Sequence, residues 1–480
     1  MGRKIPMWQV LIVMIIMLLL LYYEIMVSNS GEAHMALLVS AIVAAVVAVL
    51  NGWKWKVLEK GILAAINRSM QAILILMVVG SMIGAWIAGG VVPSMIYYGL
   101  MLLSPGVFLL AGCVLCCIVS LATGSSWTTA GTIGVALIGV GMGLGINPAM
   151  TAGAIISGAY FGDKMSPLSD TTNMAPAVAG STLFEHIRHM IWTTTPSLII
   201  ALILFGILGI GHAGQNVDMS GVAALMDGMK AEFWISPILL IPPVFVILMV
   251  AFKMPALPGL IGGIALGVVC MAFQGVSTAD FGSILNYGYE SSSEIPEIYD
   301  LLTRGGMQGM MWTISLVMCA MTFGGVMDAS EQLKTLSEIL LKAAKGTGSL
   351  VVVTILSCIF YNIVACDQYL AILLPGRMYK EAFEDRKLKN KNLSRCLEDA
   401  GTMTSSLVPW NSCGATMSTF LGVPTLSYIP YAFLNLLNPI VSIFYGFTGI
   451  SMEKMTDEEY EAMLEERKLE KEMALKALQS

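Results

Sequence analysis

Four polar stretches interrupt apolar segments of the chain where membrane helices would be expected. They are TGSSWTTAGT (123–132), GDKMSPLSDTTN (162–173), NIVACDQYL (362–370) and EDAGTMTSSLVPWNS (398–412). Carboxylates, hydroxyls, amide oxygens and freed backbone carbonyls are the ligands that a small hard cation such as Na⁺ prefers. A carboxylate in such a site also binds a proton, so that cation and proton compete for one group. The chemistry that this pattern predicts is exchange of a cation for a proton.

Two isolated acids are the first candidates for that carboxylate, because an ionisable residue within a membrane span is a functional hypothesis by default. Asp170 has no basic neighbour and lies among hydroxyls and an amide. Capping of the helix that follows is the alternative role for Asp170. Asp367 is isolated in an apolar segment and is the second candidate. With Asn173, these two acids are the expected Na⁺ ligands.

Other acids beside the breaks have structural alternatives. Asp163 adjoins Lys164, so the two side chains could form an ion pair. Glu398 and Asp399 could lie at the membrane interface and balance Arg395. The candidate ion- and substrate-binding residues in the second and fourth breaks are Asp163, Ser169, Asp170, Thr171, Thr172, Asn173, Ser405 and Asn411.

Composition indicates the elements that hold these residues. Of the 480 residues, 56% are hydrophobic and only 12% are charged, with a mean hydropathy of +0.77. Soluble domains carry about 25% charged residues. Apolar runs long enough to cross a bilayer predict an all-α polytopic membrane protein with about 11–13 spans. A nucleic-acid partner is excluded because the chain has no basic stripe with interleaved aromatics. An enzyme is not expected, since no nucleophile–base pair or nucleotide motif occurs, and no cofactor is expected beyond Na⁺ as the transported or coupling ion.

The chain contains an internal repeat. Residues 67–92 are similar to 303–327, and MSPLSDTTN (165–173) aligns with MTSSLVPWN (403–411). The first copy follows a basic loop and the second an acidic one, so positive-inside asymmetry gives the copies opposite orientations. Inverted repeats with broken helices are typical of secondary transporters. A channel or a membrane scaffold is the alternative class.

These observations divide the chain into five segments. We expect N-terminal spans in 1–56, a first inverted repeat in 57–211, and connecting spans with an outer loop in 212–295. A second inverted repeat follows in 296–450, and a charged helical tail occupies 451–480. Lys and Arg in short loops place both termini in the cytoplasm. Whether 106–145 and 349–380 form re-entrant hairpins or full spans is left open by their lengths.

Three charged features outside the breaks have two interpretations each. His186 and His189 in EHIRHM would belong to a solvated helix end, or would sense protons. Arg377 would extend to the interface, or bind an anionic substrate. The tail would be a solvated cytoplasmic helix, or a regulatory or subunit contact.

The segment GAYFGDKMSPLSDTTNMAPAVAGSTLFEHIRHM, together with TGSSWTTAGTIG, closely resembles the NhaC family of Na⁺/H⁺ antiporters. The resemblance covers residues 60–450 and is strongest at 158–190. It implies an inverted-repeat carrier of the cytoplasmic membrane that works by alternating access, and a homodimer. It also implies that polar tips contribute to the ion and substrate sites; these are Ser125, Ser126, Thr128, Ser169, Asp170, Thr171 and Asn173. Similar proteins exchange malate and lactate, so Na⁺- or H⁺-coupled transport of a small carboxylate or amino acid is the alternative function.

Overall fold

A computed structural model describes residues 2–28, 33–213, 219–252, 254–342, 344–465 and 467–468. Within these ranges the regular elements are helices, and β pairing is limited to the isolated bridges Tyr289–Arg304 and Leu388–Lys454. The predicted all-α class is therefore confirmed.

The helices of the first half run in this order: α1 Met7–Tyr22, α2 His34–Leu50, α3 Trp55–Ala88, α4 Val91–Leu102, α5 Pro105–Thr123, α6 Ser126–Thr129, α7 Val135–Gly143, α8 Pro148–Met165, α9 Asp170–Ala179, α10 Leu183–Ala213, α11 Met219–Glu232 and α12 Ile241–Ala251. π-helical turns follow α1 at Tyr23–Val27 and join α6 to α7 at Ala130–Gly134. A 3₁₀ turn, Pro237–Leu240, leads into α12.

The second half continues with α13 Ala256–Phe273, α14 Phe281–Tyr287, α15 Pro296–Leu302, α16 Met311–Ala329, α17 Gln332–Lys342, α18 Thr347–Val364, α19 Gln368–Glu384, α20 Asn390–Leu397, α21 Met403–Ser405, α22 Ser412–Leu421, α23 Thr425–Tyr428 and α24 Phe433–Thr448. A π-helical turn, Glu398–Thr402, joins α20 to α21. The 3₁₀ turns Gln308–Met310 and Ile429–Tyr431 precede α16 and α24.

Many helices are long and apolar enough to cross a bilayer. Among the described residues 7 helices meet that condition, and up to 9 if two bent helix pairs each count as one span. The broken helices α8–α9 and α20–α22 fall outside this count because neither is a single continuous apolar helix. The chain is therefore a multi-pass membrane protein, as predicted.

The internal repeat is visible in the backbone at the first and third breaks. Gly124 (φ +68°) and Cys366 (φ +58°) both adopt the left-handed conformation that ends a helix. The next residue in each copy caps the following helix. The Ser125 hydroxyl accepts a hydrogen bond from the Thr128 N–H at 3.2 Å, and the Asp367 carboxylate accepts one from the Leu370 N–H at 2.8 Å.

The second and fourth breaks match in the same way and at the same sequence interval. Helices α9 and α22 each have 10 residues and end at a left-handed glycine, Gly180 or Gly422. Their N-cap residues are Ser169 and Asn411. The sequence alignment, which paired Asn173 with Asn411, is therefore wrong by one helical turn. The predicted boundaries of the five segments stay a prediction.

The start of the C-terminal tail lies against the loop between α19 and α20. Asp457 pairs with Lys387 at 2.6 Å, Glu459 with Lys389 at 2.9 Å, and Glu453 with Lys391 at 2.5 Å. The Asp457 carboxylate raises the pKa of Lys387, and the Lys387 ammonium lowers the pKa of Asp457. The start of the tail is therefore tied to this loop by ion pairs, and most of its described residues are exposed to solvent.

Helices α5 and α8 hold the first two breaks together through two glycines. The Ser120 hydroxyl donates to the Gly158 carbonyl at 2.8 Å and accepts from the Gly162 N–H at 3.0 Å. A Cβ atom on Gly162 would lie 2.1 Å from the Leu121 nitrogen. Small residues allow this close approach of two membrane helices.

We predict that Gly162→Ala destabilises the protein, because the added methyl group meets the backbone of α5. Overpacking of this kind costs about 1–3 kcal/mol. Thermal unfolding of the detergent-solubilised protein measures the loss. Gly211→Ala is the matched control, since a Cβ atom there would have no atom within 4 Å. Equal melting temperatures for the two variants would contradict the close α5–α8 contact.

Candidate functional site

The four breaks meet in the interior of the protein. The Ser126 hydroxyl of the first break donates to the Asp163 carboxylate of the second at 2.6 Å. The Ser412 N–H of the fourth break donates to the Cys366 carbonyl of the third at 3.1 Å. Between the second and fourth breaks, Lys164 forms a buried salt bridge with Asp399. The polar stretches that the sequence singled out therefore form one buried polar region.

Asp163 is the buried candidate acid whose carboxylate is bound by two side-chain hydroxyls. It is only 8% exposed, and its two carboxylate oxygens accept hydrogen bonds from the Ser126 hydroxyl at 2.6 Å and the Ser169 hydroxyl at 2.7 Å. Among the described residues no basic side chain forms a salt bridge with it. The alternative of an Asp163–Lys164 ion pair is wrong, because Lys164 pairs with Asp399 instead. One acid and two hydroxyls are thus held together out of water.

The repeat carries a neutral version of this group. Gln368 corresponds to Ser126, and Ser405 corresponds to Asp163. Each pair is separated by the same number of residues as the capping residues Ser125 and Asp367. The Ser405 hydroxyl donates to the Gln368 side-chain carbonyl at 3.1 Å, and the Cys413 thiol donates to the same oxygen at 2.7 Å. The carboxylate is therefore present in the first copy only, which gives the symmetric fold an asymmetric site.

Three further residues of the second break stabilise its backbone or extend its hydroxyl group. The Thr172 hydroxyl donates to the carbonyls of Asp163 and Lys164 at 2.8 and 2.9 Å. The Asn173 amide donates to the carbonyls of Pro167 and Ser169 at 2.8 and 2.7 Å. The Thr171 hydroxyl lies 3.1 Å from that of Ser169. Freed carbonyls need such partners where the surroundings are apolar.

The two acids preferred from the sequence do not share the hydroxyl partners of Asp163, although both lie with it within electrostatic range of Tyr369. Asp170 is exposed, begins α9, and its carboxylate is 3.5 Å from the Tyr369 hydroxyl. Acidic residues are favourable in the first turn of a helix, which matches the alternative role considered for Asp170. Asp367 is buried and caps α19.

The remaining candidates are buried or act as caps. Ser125 caps α6, and the Thr128 hydroxyl is buried without a hydrogen-bond partner in the described part of the chain. The Asn411 side chain accepts from the Cys413 N–H at 2.9 Å and donates to the Asn362 carbonyl at 3.0 Å. These contacts fix the ends of the half-helices around the buried region.

The Lys164–Asp399 pair is a feature that sequence reasoning did not assign. Both side chains are fully buried, and the same oxygen of Asp399 that binds Lys164 accepts from Thr193 and from Asn438, each at 2.8 Å. The Arg395 guanidinium lies 3.8 Å from the other oxygen. The interfacial alternative for Glu398 and Asp399 is wrong, since both are 0% exposed. A lysine near the end of a predominantly apolar helix was the sequence signal for this pair.

The two histidines after the second break are also buried. His186 Nδ1 lies 2.8 Å from the Ser394 hydroxyl, and His189 Nε2 lies 3.1 Å from the Asn392 side-chain carbonyl. They join α10 to α20, so the interpretation as a solvated helix end is wrong. Arg377 is exposed.

We predict that Lys164→Met destabilises the protein strongly, since it leaves the buried Asp399 carboxylate with only the Arg395 guanidinium, 3.8 Å away, as a cationic partner. Removing one partner of a buried pair costs about 3–5 kcal/mol. The double variant Lys164→Met/Asp399→Asn should regain part of that loss, because the amide can still accept from Thr193 and Asn438. Thermal unfolding of both variants provides the comparison. A double variant no more stable than Lys164→Met would show that the charge of Asp399 is not the cause.

The fold and the buried region define the class of protein. Repeat-related broken helices that meet at a buried carboxylate are the architecture of a secondary transporter. The sequence profile of the Na⁺/H⁺ antiporter family matches residues 158–450, and the chain belongs to that family.

Individual relatives agree with this assignment. The chain is 41% identical to the Na⁺/H⁺ antiporter NhaC of Alkalihalophilus pseudofirmus, over 88% of this chain and 92% of the relative. It is 37% identical to the malate-2H⁺/Na⁺-lactate antiporter of Bacillus subtilis, over 86% and 89%. It is 36% identical to the arginine/ornithine antiporter ArcD of Halobacterium salinarum, over 89% of each chain. The resemblance to the NhaC family is confirmed.

Proposed function

We propose that the chain is a secondary active transporter that exchanges Na⁺ for H⁺ across the cytoplasmic membrane by alternating access. The observation that carries the proposal is the buried Asp163 carboxylate, which is held by two hydroxyls and has no basic partner in the described ranges. Membership of the Na⁺/H⁺ antiporter family supports the same activity. The expectation that the protein is not an enzyme accords with relatives that are named as antiporters.

The charge balance of the buried region favours a cation. The cations Lys164 and Arg395 are both directed at Asp399. Asp163 and Asp367 form no salt bridge within the described residues, so the region has an excess of acid. Buried charge is costly unless it is paired. A dehydrated Na⁺ ion would supply the missing positive charge, whereas an organic anion would add to the excess.

Asp163, Ser126 and Ser169 are the residues that would hold Na⁺. Each contributes oxygen, which a hard cation prefers. Their present hydrogen bonds use the hydroxyl protons, and rotation of the two hydroxyls would present lone pairs to an ion. No backbone movement is needed for that change, because both hydroxyl groups rotate about a single C–O bond.

The charge contacts at one end of the protein support a cytoplasmic tail. The tail pairs with the loop that contains Lys387, Lys389 and Lys391, and Lys-rich short loops lie on the cytoplasmic side. Lys4 pairs with Glu338, in the interior of α17. We therefore place both termini in the cytoplasm. Reaction of single cysteines at positions 4 and 457 with a membrane-impermeant reagent, in intact cells and in inverted vesicles, tests this orientation.

The homodimer expected from the family resemblance stays a prediction. Light scattering of the purified protein, corrected for bound detergent, measures the oligomeric state. A mass equal to one chain would contradict it.

We predict that Asp163→Asn abolishes Na⁺-driven proton movement, because the amide keeps the size of the side chain but removes the charge that attracts the ion. We expect the apparent Na⁺ affinity to fall by about a hundredfold, which corresponds to about 3 kcal/mol. The measurement is dissipation of a preset pH gradient in proteoliposomes after Na⁺ is added. Wild-type exchange by the variant would eliminate Asp163 as the cation ligand.

Two further variants sharpen this experiment. Asp170→Asn should have a smaller effect than Asp163→Asn, since Asp170 is exposed and lies outside the group around Asp163. Glu290→Gln should have none, because Glu290 is an exposed residue in the segment between α14 and α15. A greater loss of Na⁺-driven proton movement for Asp170→Asn than for Asp163→Asn would identify Asp170, the acid favoured by the sequence, as the cation ligand.

An organic solute is the second candidate function. The observation that favours it is similarity to antiporters named for malate and lactate and for arginine and ornithine. Uptake of radiolabelled dicarboxylates, lactate and basic amino acids into the same proteoliposomes distinguishes the two candidates. Uptake that requires one of these solutes, with no proton movement on addition of Na⁺ alone, would favour the organic solute.

A further inference from the structure

Glu398 is a buried acid that the proposed cation site does not use. It begins the π-helical turn Glu398–Thr402 and is 0% exposed. The Thr402 and Thr171 hydroxyls face its carboxylate, but neither carboxylate oxygen makes a hydrogen bond of normal geometry among the described residues. Single π turns within helices are frequent at functional sites. A structural role would normally provide such a carboxylate with partners.

The repeat shows that the fold does not require an acid at this position. The residue of the first copy that corresponds to Glu398, by the same spacing as the other pairs of the repeat, is Ile156. Ile156 is fully buried in α8. An aliphatic side chain therefore fits this place in the repeat. Glu398 replaces it with an ionisable group at considerable cost in desolvation. That cost indicates a function beyond packing.

The charged surroundings of Glu398 come from several helices. Lys164 and Asp163 of α8 lie within electrostatic range of its carboxylate, and Thr171 of α9 faces it. The ionisable groups on the helices packed around it include Arg395, Cys396 and Asp399 on its own helix, Tyr160 on α8, Cys358 and Tyr361 on α18, Tyr369, Tyr379, Lys380, Glu384 and the exposed Arg377 on α19, exposed Asp170 on α9, His186 and His189 on α10, and Tyr445 on α24. Lys164 thus lies between two acids, and its salt bridge is made with Asp399.

We propose that Glu398 binds the transported proton while Asp163 binds Na⁺, so that exchange uses two carboxylates and not one shared group. This inference rests on the proposed Na⁺/H⁺ exchange and assigns its second ion. The proton step is a simple transfer: a hydronium ion gives its proton to the Glu398 carboxylate, which becomes a neutral carboxylic acid, and water is released. The reverse step on the opposite side of the membrane returns the carboxylate and a hydronium ion.

Electrostatics couples the two acids without contact between them. Asp163, Glu398 and Asp399 provide three negative charges, and Lys164 and Arg395 provide two positive charges. Asp367, which like Asp163 lies within electrostatic range of Cys413, is a further buried acid without a salt bridge among the described residues, so the region has more negative than positive charge. A cation at one acid, either Na⁺ at Asp163 or a proton at Glu398, reduces that excess and repels a second cation, and this repulsion is strong in a region of low dielectric constant. Occupation of one acid therefore disfavours occupation of the other, which is the condition for exchange.

The test compares two kinds of flux in proteoliposomes containing Glu398→Gln. The amide imitates the protonated acid permanently, so we expect Na⁺-driven proton movement to fall at least about tenfold. Exchange of radioactive Na⁺ for unlabelled Na⁺ should continue at saturating Na⁺, because it needs no proton. We expect the apparent Na⁺ affinity of the wild type to fall with decreasing pH, and that of the variant to be low and independent of pH over the same range.

The outcomes separate this inference from the proposed function. If the wild type shows no Na⁺-driven proton movement, the proposed function fails and the inference fails with it. If the wild type exchanges normally and Glu398→Gln keeps both proton coupling and the pH dependence of Na⁺ affinity, only the inference is overturned. Asp163→Asn is the counterpart, since it should lose Na⁺–Na⁺ exchange as well as proton coupling.

A second variant guards against a folding defect. Glu398→Asp keeps an ionisable group but moves it by one methylene, so it should retain coupled exchange with an altered pH midpoint. An unchanged midpoint in Glu398→Asp would overturn the inference even if Glu398→Gln does not fold. Glu290→Gln, an exposed acid changed to the same amide, should keep the wild-type midpoint and is the control for loss of a negative charge.

Discussion

The structure depends on one constraint, which is that every backbone polar group freed by a break in a membrane helix must find a partner inside the protein. The side chains around the second break meet it directly. Thr172 and Asn173 each bond two carbonyls there, and the Ser120 hydroxyl links the α5 and α8 backbones. These side chains are occupied by the backbone, whereas the Ser126 and Ser169 hydroxyls bond the Asp163 carboxylate. The Asp163 carboxylate with its two hydroxyls is therefore distinguished from the many polar atoms that only support the backbone.

The same constraint explains why the copies of the repeat differ in chemistry but not in shape. Left-handed residues and capping side chains recur at equal intervals because the backbone turns in the same way in both copies. The side chains inside the turns are free to differ. Asp163 corresponds to Ser405, Ser126 to Gln368, and Ile156 to Glu398. One copy thus provides the acid between two serines, and the other provides a separate acid in a π turn. The asymmetry of charge arises within a symmetric backbone.

The sequence predicted the class of fold, the positions of the breaks and the family, because these depend on hydropathy, on helix-breaking residues and on a specific motif. It did not predict which acids are enclosed. Asp170 has the more polar neighbours in sequence, yet it points outward from the first turn of α9, whereas Asp163 lies on the inward side of α8. The partner of Lys164 lies in the other copy of the repeat, so no local pattern could reveal it. The correct alignment of the two capping residues, Ser169 and Asn411, also became visible only from the backbone conformation. Ser and Asn are equally good caps, so the two positions need not carry the same residue type.

Arg395 gives the C-terminal segment a place in the transporter itself. Its guanidinium is fully buried, donates to the Ser451 carbonyl at 3.2 Å and to the Ser451 hydroxyl at 2.5 Å, and lies beside Asp399 on its other side. The last membrane helix, α24, ends at Thr448, before this contact is made. A shortened protein designed to stop at the membrane boundary would leave a cation without its oxygen acceptors deep in the structure. The smallest autonomous unit therefore extends at least through Met455, whose N–H bonds the Lys387 carbonyl at 2.7 Å.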